Sequence, residues 1–67
     1  MSILSDPPGR AYVDGRLVSP RTPVSGLEVT PGSHRVRVVF GSTSEAATRT
    51  VRVGRGEHQI VRLRPRQ

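Results

Sequence analysis

Thr30-Pro31-Gly32-Ser33-His34-Arg35-Val36-Arg37-Val38-Val39-Phe40 is the stretch whose reading decides the fold. Proline presets φ at the second position of a turn, and glycine supplies the positive φ that a type II turn demands next. Pro31-Gly32 therefore predicts a reversal that delivers the chain into an extended run. From Ser33 onward the period is two. Val36, Val38 and Phe40 fall on one face, and Arg35, Arg37 and Val39 on the other. The valine face must point at a core and the arginines at solvent. No helical period survives here or elsewhere in the chain.

Towards the C-terminus, residues 48–53 alternate in the same way. Val51 and Val53 go inward with Arg49 at the strand's mouth, and Thr48, Thr50 and Arg52 go outward. Gly54-Arg55-Gly56 predicts the next turn, with Glu57 starting the return, so the C-terminal half reads as a meander. In residues 58–64, Val61 and Leu63 point inward with Gln59, leaving His58, Ile60, Arg62 and Arg64 outside.

Towards the N-terminus, Asp14-Gly15 lies between Ala11-Tyr12-Val13 and Arg16-Leu17-Val18. That dipeptide accepts positive φ at both central positions and predicts a type I′ hairpin. Pro7-Pro8, Pro20 and Pro23 lack a ladder donor and mark edge or crossover segments, with Pro23 opening a strand. Leu4, Ala11, Val13, Leu17, Val24, Leu27 and Val29 are expected to complete the core. The small polar residues between Phe40 and Thr48 read as the most mobile loop.

The predicted strands are residues 3–5, 10–13, 16–18, 26–29, 33–40, 48–53 and 58–64. They make an all-β chain, a small two-sheet β-sandwich of about seven short, mostly antiparallel strands. Residues 1–67 form a single domain, expected to be a piece of a larger protein, with 64–67 as a frayed tail or linker.

At 67 residues, folding buries only about 60% of the unfolded chain's surface, so the stability margin is thin. There is no cysteine, hence neither a disulfide nor a thiolate metal site. Compartment stays open on that account. No apolar run approaches the roughly 20 residues that span a bilayer, so no membrane insertion is expected.

Asp6, Asp14, Glu28, Glu45 and Glu57 mostly fall in turns, and a chain this short scarcely forms a cleft for paired carboxylates. Asp14 is explained by hairpin geometry. His34 and His58 lie in separate strands and offer no three-ligand metal set. His34, after the Pro-Gly turn, is expected to cap the strand edge by hydrogen bonding. Nothing orients either histidine with Ser33 as a nucleophilic triad. Gly54-Arg55-Gly56 precedes a strand and supplies no phosphate-binding helix N-terminus. The chain reads as a non-enzyme without cofactor or metal.

All eleven basic residues are arginine, against five acids, for a net charge of +6. Such a surface attracts polyanions and suits bidentate contacts with carboxylate or phosphate. Lysine depletion beside arginine, valine and proline equally fits a coding bias. Arg35, Arg37, Arg52, Arg62 and Arg64 are expected on one outer surface of adjacent strands, roughly 5 Å apart. That face is either solvated, protecting edges from aggregation, or neutralised by an acidic protein, an anionic envelope polymer or nucleic acid. Nucleic acid is the weaker option, because single-strand binders stack bases on aromatic rings and only Tyr12 and Phe40 are present. Weak self-association through an edge strand, residues 33–40 or a neighbour, is a further reading.

Taken in order, Ser5-Asp6-Pro7-Pro8-Gly9, Tyr12-Val13-Asp14-Gly15, Thr22-Pro23, Pro31-Gly32-Ser33-His34-Arg35-Val36-Arg37-Val38, Thr50-Val51-Arg52-Val53 and Gly56-Glu57 resemble a PEGA domain. The resemblance implies a small β-sandwich found in bacterial and archaeal multidomain surface and secreted proteins, and in some bacterial serine/threonine kinases. It further implies a non-catalytic accessory or spacer module, with a partner protein or the parent's other domains as contacts, and an extracytoplasmic setting.

Overall fold

The computed structural model of the chain describes residues 1–41 and 45–65. Six strands follow in order: β1 (Ser2–Ser5), β2 (Gly9–Val13), β3 (Arg16–Ser19), β4 (Gly32–Phe40), β5 (Ala46–Val53) and β6 (Ile60–Leu63). They form an antiparallel sheet in the order β3-β2-β4-β5 and a second sheet in which β1 pairs parallel with β6. The all-β, two-sheet architecture is the predicted one.

The four-stranded sheet grows from the two turns that the sequence marks best. Asp14 and Gly15 take φ of 52° and 79°, the left-handed pair that a type I′ hairpin requires. Pro31 and Gly32 lead into β4, the longest strand at nine residues. Its alternation holds along its length: Val36, Val38 and Phe40 are fully buried, while Arg35 and Arg37 are exposed. From the other sheet, Ile3, Val61 and Leu63 close over these side chains, and Ala11, Val13, Ala47 and Val53 complete the interior.

Gly9 shows how tightly β2 enters. A Cβ at this position would stand 2.3 Å from the Val39 carbonyl oxygen, a contact no side chain tolerates. Beside it, Thr22 is buried and ties three segments together. Its hydroxyl accepts from the Gly9 N–H at 3.1 Å, and its own N–H donates to the Gly9 carbonyl at 2.8 Å. Ser5 Oγ donates to the Pro7 carbonyl at 3.0 Å, so the Thr22 hydroxyl must be the donor in its bond to Ser5. Every proton in this knot has an acceptor, as burial demands.

Five expectations about the fold change. Residues 26–29 are not a strand: Gly26 has φ of 67°, outside the extended region, and this part of the chain follows β1 through the Ile3–Val24 bridge and a reciprocal contact in which the Leu27 N–H donates to the Met1 carbonyl and the Met1 ammonium to the Leu27 carbonyl. Pro23 therefore precedes a single bridge, not a strand. The C-terminal half is not a meander, because after the Gly54 to Gly56 turn the chain crosses to the other sheet. There β6, which spans Ile60–Leu63 and not the predicted 58–64, buries Val61 and Leu63 from the opposite side of the core. Leu17 is 50% exposed, since the irregularity between Ala11 and Tyr12 sets it beside Tyr12 on the outer surface, and Leu4 is only half-buried. Finally, β5 begins two residues earlier than predicted, with Ala47 buried, and of the expected mobile loop residues 42–44 lie outside the described residues. Ile60 is exposed, as its phase predicted. In the expected tail, residues 66–67 also lie outside the described residues.

Candidate basic interaction face

The outer surface of the four-stranded sheet is set by register. Arg37 stands between Tyr12 on β2 and Thr48 on β5, Arg35 beside Thr50, and Ser33 beside Arg52, while Arg10 pairs with Val39. Neighbouring strands lie about 4.8 Å apart, so Arg10, Arg35, Arg37 and Arg52 share one surface. A shallow groove of about 1060 Å³ runs across it, bounded by Tyr12, Asp14, Arg35, Arg37, Thr48 and Thr50.

Of the five arginines predicted to share a surface, Arg35, Arg37 and Arg52 do so. Arg62 and Arg64 do not, because β6 belongs to the other sheet and Arg62 emerges from that sheet's own exposed side. The expectation failed with the meander: alternation gives each residue's side of its strand, but not which sheet the strand joins. Arg10 was missed on this face for want of the β2–β4 register.

At one end of the groove the two turns are bolted together. Asp14 Oδ1 accepts the Arg35 N–H at 2.9 Å, and the Asp14 N–H donates to the Arg35 carbonyl at 2.8 Å. His34 Nδ1 lies 2.6 Å from Asp14 Oδ2, and its Nε2 lies 2.5 Å from the Thr30 carbonyl oxygen. Both partners are pure acceptors, so only the doubly protonated imidazolium satisfies both contacts. The Asp14 carboxylate, and after it the Thr30 carbonyl, hold the His34 pKa above its ordinary value. The Arg35 N–H, and then the His34 ring, hold the Asp14 carboxyl below the usual carboxylate range. His34 caps by hydrogen bonding as expected, and Asp14 serves the turn as expected. Their mutual contact was not read, because only the β2–β4 register brings positions 14 and 34 side by side.

Glu57 also serves a turn. Glu57 accepts the Gly54 N–H at 3.1 Å and the Gln59 amide at 2.6 Å, which hold its carboxyl below the ordinary range, and its own N–H closes the turn onto the Gly54 carbonyl. His58 Nε2 lies 3.1 Å from Ser2 Oγ across the strand ends. Among the described residues no three His, Cys, Asp or Glu side chains converge as metal ligands.

Fold and face together define a small two-sheet β module, organised round a hairpin and a Pro-Gly-led central strand, with Arg10, Arg35, Arg37 and Arg52 exposed on the outer side of its larger sheet. The family model of the PEGA domain matches residues 1–67, the whole chain, and the protein belongs to that family of accessory domains. Comparison with curated proteins and with solved structures finds no match.

Proposed function

We propose that this PEGA domain is a non-catalytic interaction module of a larger bacterial protein, and that it docks an acidic partner on the outer face of its four-stranded sheet. One observation carries the reading. Arg10, Arg35, Arg37 and Arg52 are exposed on that face, and Asp14, the carboxylate at the groove, is already engaged by His34 and by the Arg35 backbone. Four guanidinium groups facing one way with their local acid committed form a positive field that an acidic surface complements. Nucleic acid fits less well: Phe40 is fully buried and Tyr12 is half-buried, so the face lacks the stacking platform that single strands use.

The test titrates the chain with polyglutamate, heparin and an oligonucleotide at low and at physiological salt. Binding of polyglutamate that weakens steeply with salt and drops at least tenfold in an Arg35→Ser/Arg37→Ser double variant supports the reading. Preference for the oligonucleotide moves the partner to nucleic acid. Silence towards all three makes the domain a spacer with a solvated charged face.

A further inference from the structure

The self-pairing reading of β4 does not survive the topology, since β4 is central and both of its edges are paired. The edge belongs to β5, and the phase of the ladder fixes which of its backbone groups face away. Phe40 donates to the Glu45 carbonyl at 2.7 Å, whereas Asp14 donates to that of Arg35 at 2.8 Å. Hydrogen-bonded and non-bonded pairs alternate along an antiparallel ladder. By register, Val38, Val36 and His34 therefore bond to Ala47, Arg49 and Val51, and Arg35 and Arg37 turn their backbones to β2. The N–H and C=O groups of Ala46, Thr48, Thr50 and Arg52 are left pointing out of the sheet. At about 3.4 Å per residue they present roughly 20 Å of ladder. Among the described residues β5 pairs with β4 alone.

Charge selects what can use this edge. Arg52 stands on the outer face, with Arg35 and Arg37 one strand further in, and Arg49 is exposed on the other side of β5. A second copy is a poor occupant. Fully overlapped two-fold pairing would set residue 46 against 52 and 48 against 50, which places Arg49 opposite Arg49, and like charges opposed across a ladder repel. Edge arginines of this kind deter indiscriminate pairing. An acidic strand converts the same residues into cross-strand ion pairs.

We propose that β5 is a strand-addition site for an extended acidic segment of a partner polypeptide, whose carboxylates three residues apart meet Arg49 and Arg52. Backbone pairing supplies affinity and the spacing of acids supplies selectivity. The proposal rests on the reading of the face as an acidic dock and adds the ladder to it.

The test uses the ¹⁵N-labelled chain and a peptide as long as β5, eight residues, of sequence Thr-Val-Glu-Val-Thr-Glu-Val-Thr. A second peptide of identical charge is N-methylated at alternate residues so that it cannot pair. Strand addition protects the amides of Thr48, Thr50 and Arg52 from exchange, weakens at least tenfold on N-methylation, and weakens at least tenfold in Arg49→Glu or Arg52→Glu, whose dispersed spectra report that they fold. If both peptides bind equally, or if polyglutamate binds and the first peptide does not, strand addition is wrong and the acidic dock stands. If neither peptide nor polyglutamate binds, both readings fall.

Discussion

The two sheets are made in opposite ways. The four-stranded sheet pairs β2 with β3 and β4 with β5, neighbours in the sequence, and its outer face carries the exposed Arg10, Arg35, Arg37 and Arg52. The two-stranded sheet joins β1 to β6, Ser2 against Ile60 and Ser5 against Leu63, strands from the two ends of the chain. Parallel pairing requires a long connection, and here the connection is the whole four-stranded sheet. The larger sheet thus brings its own order, and the smaller one acts as a lid whose formation depends on the first. Loop-closure entropy is the reason, since it is repaid only after the intervening chain has folded.

The comparison breaks most severely where the sheets meet. Phe40 is fully buried between them, and Phe40→Ala should cost about 3–5 kcal/mol. A domain of this size has a total stability of roughly 3–10 kcal/mol. Chemical denaturation should find the variant unfolded or nearly so; a midpoint close to the parent's would mean that the lid contributes little. Gly9→Ala attacks the entry of β2 and should cost roughly 1–3 kcal/mol through overpacking against the Val39 carbonyl, visible as a lowered midpoint with β2 and β4 amides shifted together.

A third perturbation touches the larger sheet alone. Because the His34 pKa is raised above its ordinary 6.5, its contribution to stability is complete below that pH and is lost as pH rises through the folded-state value. Because the Asp14 pKa is lowered below 3.8, its contribution is present above that pH and is lost as pH falls through its folded-state value. Thermal midpoints should therefore be highest between the two limits and fall on the alkaline side as pH rises above 6.5. His34→Gln should flatten that alkaline fall while β1–β6 exchange protection responds less than that of β2 and β4. Smallest of all, Ile60→Thr on the lid's exposed side should change stability by no more than about 0.5 kcal/mol, measured by the same denaturation, since Ile60 is 60% exposed.

Much of the larger sheet was legible from residues, because its signals are local. Asp14-Gly15 and Pro31-Gly32 set their own backbone angles, and Val36, Val38 and Phe40 declare their face by alternation. Residues 26–29 misled, since a leucine and a valine suggested a strand where Gly26 bends the chain. The Ser5–Thr22–Gly9 knot carried no readable signal, as serine and threonine near prolines look alike whether buried or exposed.

Taken alone, the order of amino acids determined the all-β class, the hairpin turn, the inward valines and membership of the family's pattern, all of which depend on neighbours a few positions apart. Only the tertiary structure decided that β6 leaves the meander to pair with β1, that Arg62 and Arg64 part from Arg35, Arg37 and Arg52, that Asp14 meets His34, and that β5 is the edge. Alternation says which side of a strand a residue occupies. Which strand lies alongside depends on how the whole set of apolar faces is buried together, and that is a property of no single segment.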